Sequence, residues 1–152
     1  MLRITSISGN IHDGGVCDGD SEHLCISRGD LEKSRLRRET DGGTDIGLSL
    51  DPGTVLRDGD VLAGGKKPII VRQTAEMVIS VRLDDPEMRV VAGHVIGNHH
   101  RPVAVEKGVI YFPVQADSEL EVFEKLFAGI GATLSIEEMV FTPHRRARAH
   151  EH

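Results

Sequence analysis

The sequence predicts an α+β protein with two small domains: an N-terminal all-β domain and a ferredoxin-like β-α-β-β-α-β domain that ends in a flexible tail. The 17 glycines and 6 prolines among 152 residues are a turn-rich composition, which is typical of many short strands. The first half shows only short alternating apolar segments, whereas the second half interleaves strands with two helical patterns. A chain of this length can bury two small cores.

Charge and composition exclude several classes of partner. The 24 acidic residues outnumber the 18 basic ones, for a net charge of −6, so we expect neither nucleic acid nor an anionic membrane as a partner. No apolar run approaches the roughly 20 residues that span a bilayer, and the opening residues lead into no signal peptide. These features predict a soluble, cytoplasmic protein. Its two cysteines, Cys17 and Cys25, are too few for a disulfide framework.

The predicted N-terminal domain covers residues 1–74. Its segment 9–29 is rich in Gly, Asp, Ser, His and Cys and has no strand or helix period, which predicts a loop. Beyond it, turn sequences such as Asp41-Gly42-Gly43 separate short apolar segments, as in hairpins. The predicted strands lie at 35–38, 45–50, 61–62 and 69–71.

The predicted C-terminal domain covers residues 75–142. Asp84-Asp85-Pro86 combines N-cap chemistry with a proline in the first turn, which predicts a helix that continues to Ile96 and is ended by Gly97-Asn98. Asp117-Ser118 predicts the start of a second helix, which Gly129 and Gly131 close. The strands are predicted at 77–81, 103–105, 109–114 and 132–141, and Lys107-Gly108 is predicted as the hairpin turn between the second and the third. Residues 143–152 have no apolar face and predict a flexible tail.

Histidines are concentrated in two clusters. His94, His99 and His100 lie near the predicted end of the first helix, and imidazole is a ligand that suits nickel, zinc and copper. The alternative is an ordinary helix-face histidine followed by two that cap the last carbonyls. The tail supplies the second cluster, His144, His150 and His152. A histidine-bearing tail can complete the coordination of a fixed site, or it can be a solvated chain end.

A second metal site is conceivable near the N-terminus. His12, Cys17, His23 and Cys25 supply the donors of a tetrahedral Cys2His2 site, although their spacing matches no usual pattern. The alternative is an acidic loop that happens to contain them. No nucleophile elbow, phosphate-binding glycine loop or His-Glu-x-x-His motif is present, so the sequence does not predict an enzyme.

Three motifs, at residues 33–37, 53–62 and 97–102, resemble those of the UreE family of nickel metallochaperones in order and spacing. The resemblance implies a peptide-binding-like N-terminal β domain and a C-terminal domain that dimerises and binds metal. In that family, the last histidine of the motif Gly-Asn-Arg-His is contributed by both protomers and holds one nickel ion, and this position falls on His100. His99 stands where the family usually has arginine. An additional family histidine falls on Val95, next to His94.

The same resemblance implies a function. A protein of this kind is a homodimer that holds Ni(2+), for which Zn(2+) or Cu(2+) can substitute in vitro, and delivers it to the urease apoprotein complex through the accessory GTPase. It has no catalytic turnover. The alternative is a cytoplasmic buffer or sensor of nickel, zinc or copper without a urease client, because affinity alone does not identify the physiological ion. A third interpretation is a peptide-binding scaffold in which the histidines are incidental.

Overall fold

A computed structural model describes residues 1–14 and 20–144. The chain forms two compact units, Met1–Thr74 and Ala75–His152. The first contains strands and one short helix, and the second contains a four-stranded sheet with two helices, so the predicted α+β class is confirmed. No helix in the described part of the chain is long and apolar enough to cross a membrane.

The N-terminal unit consists of two small sheets. Its elements are β1 (Leu2–Ile4), β2 (Gly9–Asn10), β3 (Glu22–Ile26), α1 (Arg28–Leu31), β4 (Arg35–Glu39), β5 (Asp45–Ser49), β6 (Asp60–Leu62) and β7 (Ile69–Gln73). One sheet has the order β1-β5-β4 and the other the order β2-β6-β7-β3. Their inward-facing residues, among them Ile4, Leu24, Ile46 and Leu62, form one aliphatic core. The expected hairpin of β4 and β5 is present, and Gly43 takes the positive φ of its turn.

The prediction of a loop over residues 9–29 is wrong for most of that segment. The structure contains two strands, a 3-10 turn at Ile11–Asp13 and the helix α1 there. β2 pairs with β6, and β3 lies parallel to β7, so both strands depend on partners about 50 residues away in sequence. Leu24 and Ile26 are buried while Cys25 between them is exposed. This strand alternation covers only three residues, so the polar composition of the segment around it conceals it.

The C-terminal unit has the predicted β-α-β-β-α-β order. Its elements are β8 (Glu76–Arg82), α2 (Pro86–Asn98), β9 (Ala104–Glu106), β10 (Val109–Pro113), α3 (Glu119–Leu126) and β11 (Thr133–Met139). The sheet order is β11-β8-β10-β9 with every neighbour antiparallel, which is the ferredoxin-like arrangement. Both helices pack on one face, where Ile79, Ile96, Phe112 and Phe123 share a core.

Local sequence signals set the helix and hairpin ends of this unit. The side chain of Asp85 accepts hydrogen bonds from the backbone of Glu87 and Met88, which confirms the predicted N-cap, and Pro86 is the first helical residue. α2 continues two residues beyond the predicted end, to Asn98. Lys107 and Gly108 both have positive φ, as a two-residue hairpin turn requires.

The other face of this sheet is covered by the segment that follows β11. Phe141 is fully buried there against Val78 and Ala104, with Tyr111 and Met139 beside it. The chain thus crosses the sheet after its last strand and reaches β9, the strand at the opposite edge.

Candidate metal centre

The end of α2 presents two histidines on a tight turn. The backbone N–H of His99 donates to Ile96 O at 3.1 Å, and that of His100 donates to Gly97 O at 2.9 Å. His100 adopts a left-handed conformation with φ 57°, which ends the helix. This conformation costs a non-glycine residue about 1–2 kcal/mol. A strained residue of this kind points to a role for its side chain.

Arg101 fastens the turn to the rest of the unit. Its guanidinium donates to Pro113 O at 2.8 Å, forms an ion pair with Glu119 and lies 5.9 Å from the centre of the Phe123 ring. Glu119 also accepts a hydrogen bond from the backbone of Gln115 at 2.6 Å. Partial burial would raise the pKa of Glu119, but the hydrogen bonds from Arg101 and the backbone outweigh it and lower that pKa. Arg101 therefore joins the histidine turn to both β10 and the start of α3.

His99 is oriented by an aromatic contact. Its ring meets Phe123 edge-on, with the ring centres 5.4 Å apart and the planes at 67°. Phe123 is itself buried between Phe112 and Phe127. The position of the His99 ring is thus set by the core, although the residue as a whole is exposed.

His94 lies on the exposed face of α2, while its neighbour Val95 is half-buried in the core cluster. The Asn98 amide lies 3.3 Å from Nε2 of His94, one helical turn away. Of these two residues, only His94 therefore faces solvent on the helix that leads to His100.

The ring of His100 is exposed and has no hydrogen-bond partner among residues 1–14 and 20–144. Over those same residues, no group of three or more His, Cys, Asp or Glu side chains is arranged to hold a metal ion. Within the part of the chain that the structure describes, His94, His99 and His100 therefore do not form a closed site. His100 offers one available imidazole on a rigid support.

The tail histidine within the described residues is already engaged. The backbone N–H of His144 donates to Val103 O at 2.9 Å, and Nε2 of its ring accepts from the N–H of Val105 at 2.9 Å. The other predicted tail ligands, His150 and His152, lie outside the described residues.

Three of the four predicted ligands near the N-terminus are described, and each has different surroundings. Nε2 of His12 lies 3.2 Å from Asp58, and Nδ1 of His23 lies 3.1 Å from Asp41. Hydrogen bonds from the His23 backbone and ring lower the pKa of Asp41, against the opposing effect of burial. Cys25 is an exposed free thiol on β3. Cys17 lies outside the described residues, so the four-ligand site stays a prediction.

Sequence reasoning missed the supporting residues of the turn. The motif at 97–102 contains Arg101 but does not indicate what its side chain contacts. Glu119 directly follows the predicted helix start at Asp117-Ser118, and nothing in the local sequence points to Arg101 as its partner. The available signal was an arginine directly after the paired histidines together with an acidic residue in the first turn of the next helix. Their pairing spans 18 residues and depends on the sheet topology.

Comparison with known proteins settles the family. The N-terminal domain of the UreE urease accessory protein matches residues 4–75, and the C-terminal domain of the same protein matches residues 76–152. The chain belongs to the UreE urease accessory protein family. The two matched regions meet after residue 75, one residue from the division between the compact units.

Individual UreE proteins are similar along most of this chain. The urease accessory protein UreE of Natronomonas pharaonis is 33% identical over an alignment of 135 positions, which covers 79% of this chain and 63% of that protein. UreE of Pseudomonas putida F1 is 36% identical over 117 residues, 76% of this chain and 67% of that protein. UreE of Burkholderia pseudomallei 1710b is 37% identical over 119 residues, 76% of this chain and 55% of that protein. The chain therefore spans about two thirds or less of the length of these relatives.

Proposed function

We propose that this protein is a metallochaperone that binds Ni(2+) at His100 and delivers it for assembly of the urease active site. The observation that carries the proposal is the turn at the end of α2. There a strained histidine keeps both ring nitrogens available because Arg101 and the helix backbone hold the turn in place. Imidazole is a suitable donor for nickel, and the similar proteins are named urease accessory proteins.

The site is completed by a second copy of the chain. One protomer offers too few grouped ligands among its described residues, and a two-fold axis near His100 would bring a second imidazole to the same ion. The outer face of α2 supports this dimer. Val90 and Val91 are 74% and 40% exposed there. Gly93 and Gly97 on the same helix leave open space where a side chain would stand, so another helix can approach closely.

Coordination by two imidazoles suits a carrier. A closed four-ligand site holds its ion as a structural element, whereas two protein ligands leave positions for water or for the client's groups. His99 and His94 lie beside His100 and are candidates for further ligands. Zn(2+) and Cu(2+) can occupy such a site in vitro, since they also accept imidazole.

His150 and His152, which follow His144 in the tail, supplement this site. His144 contacts Val103, which is only three residues beyond His100. His150 lies six positions after His144, and a chain of six residues spans at most about 20 Å. His150 and His152 are therefore tethered close enough to reach an ion held at His100.

The partners follow from the family. We infer a homodimer that meets the urease accessory GTPase and the urease apoprotein complex, and that has no turnover of its own. A buffer or sensor without a urease client is the alternative, and it would bind nickel equally well.

The test has a binding arm and a transfer arm. Nickel titration calorimetry compares the intact protein with His100→Ala and with a chain truncated after Phe141, each checked for mass by light scattering. The proposal expects one tight ion per dimer, loss of that ion in His100→Ala, and weaker binding after truncation. Nickel-loaded protein should then activate apo-urease, with the accessory GTPase present, faster than an equal concentration of nickel held by a chelator of matched affinity. Binding without faster activation would favour the buffer.

A further inference from the structure

The chain after β11 ends its crossing of the sheet at an unpaired strand edge. β9 is the last strand in the order β11-β8-β10-β9, so one side of its backbone has no neighbouring strand among residues 1–14 and 20–144. Such an edge exposes N–H and C=O groups that can pair with another chain, and proteins commonly cover it. Here a single residue, His144, contacts both Val103 O and the Val105 N–H.

The two contacts reproduce what a neighbouring strand would supply. The His144 backbone donates to Val103 O as a strand amide would, and Nε2 of its ring accepts from Val105 N as a strand carbonyl would. Each bond is 2.9 Å long, a normal hydrogen-bond length. Three residues earlier, Phe141 is fully buried against Val78 and Ala104, which fixes the backbone that leads to His144.

We propose that His144 is a positioning residue that caps the edge of β9 and fixes the point from which the tail leaves the domain, and that it is not a nickel ligand. Nε2 must be unprotonated to accept the Val105 N–H, so in the neutral ring the proton is on Nδ1. A metal ion at Nε2 would have to displace this hydrogen bond, and one at Nδ1 would have to displace the remaining proton. His150 and His152, which lie outside the described residues, are left as the candidate tail ligands. The capping role is independent of the proposed function, whereas the assignment of ligands rests on it.

Single-residue hydrogen exchange at the Val105 amide tests the cap without any metal. The full-length parent is compared with His144→Ala, with His144→Gln and with His94→Ala as a matched exposed histidine of the same unit. Glutamine places an amide oxygen at nearly the reach of Nε2, so it keeps the acceptor but is a poor ligand for nickel. We expect exchange at Val105 to become about tenfold faster in His144→Ala, the loss of one ordinary hydrogen bond, and to return to the parent rate in His144→Gln. Equal rates in all four proteins would overturn the cap.

Nickel titration of the parent and of the two His144 variants tests the second part. Nickel should leave exchange at Val105 in the parent unchanged, and His144→Gln should bind nickel as tightly as the parent. If nickel accelerates exchange at Val105, or if His144→Gln loses as much affinity as His100→Ala, His144 is a ligand and the proposal fails. Absence of tight nickel binding in the parent would contradict the proposed function instead, and the exchange result without metal would still decide the cap.

Discussion

The two units of this chain use histidine in opposite ways. In the N-terminal unit, the rings of His12 and His23 are bound to Asp58 and Asp41, which also hold turns and strand ends. In the C-terminal unit, Arg101 and the backbone hold the turn, and the ring of His100 has no partner in the described chain. A histidine ring is thus available to a metal when other residues hold the surrounding backbone in place. By this criterion His144, whose ring holds the β9 edge, belongs with His12 and His23.

The largest effect is expected from Val90→Asp, which tests whether His100 can bind nickel tightly without a second copy of the chain. In a two-fold interface the substitution buries two unpaired carboxylates, each at a cost of about 3–5 kcal/mol, so the dimer should dissociate and tight nickel binding should disappear. Light scattering and nickel titration measure the two effects. Val122→Asp changes a similarly exposed valine on α3 and should leave both unchanged. A dimeric Val90→Asp variant with parental affinity would remove α2 from the interface.

Acidification should separate metal release from unfolding. Ordinary imidazoles protonate near pH 6.5, and each competing proton lowers nickel affinity about tenfold per pH unit below that value. The pKa of Glu119 is lowered in the folded state. Its stabilising contribution is therefore fully present above the ordinary glutamate pKa of about 4.3 and is lost only as the pH falls through its lower folded pKa.

Between pH 5 and 6.5, about the window these values define, the protein should release nickel while the Arg101–Glu119 pair stays intact. Equilibrium dialysis followed alongside circular dichroism checks this expectation. Loss of secondary structure in parallel with the metal would mean that release reflects unfolding rather than protonation of the ligands.

Arg101→Ala tests whether the contacts of Arg101 hold the turn so that His100 can bind nickel. Removal of residues that orient a ligand typically costs 10–100-fold in metal affinity, and we expect a loss of about that size here. Arg101→Lys keeps the charge, but a lysine ammonium cannot contact Pro113 and Glu119 at the same time, as the guanidinium does. Its nickel affinity should therefore lie between those of the parent and of Arg101→Ala. The matched control is Arg82→Ala, which breaks a pair with Glu137 at 3.2 Å elsewhere in the same unit. If all three variants bind nickel like the parent, nickel binding at the turn does not depend on the contacts of Arg101.

The smallest effect is expected in the N-terminal unit. The double variant Cys17→Ser/Cys25→Ser should keep the nickel stoichiometry of the parent, because His12 and His23 have separate carboxylate partners. Metal analysis after dialysis measures this. Loss of one bound ion per chain would instead restore the four-ligand site predicted from the sequence.

Sequence reasoning succeeded where the deciding signal is local. The N-cap at Asp85, the hairpin turn at Lys107-Gly108 and the order of strands and helices in the second unit all follow from residues within a few positions of each other. It failed over residues 9–29, where β2 and β3 form because β6 and β7 complete their hydrogen bonds from far along the chain.

The features of the candidate site also divide into those that local sequence signals predict and those that depend on contacts far along the chain. The sequence places the cluster His94, His99 and His100 near the end of the first helix of this unit, and the structure has His94 within α2 and the other two directly after it. Whether a ring is free could not be predicted, since it depends on contacts such as Arg101 with Glu119 and His144 with Val105. These pairs are 18 and 39 residues apart and meet only through the order of the strands.

Native mass spectrometry of the nickel-loaded protein tests the central claim most directly, because it counts ions and chains in the same particle. The claim is that His100 is half of a site that a second copy completes. We predict a dimer with one tightly held nickel ion, and neither a nickel-bound monomer nor a tight ion in His100→Ala. A monomer that retains one nickel ion under the same conditions would contradict the shared site.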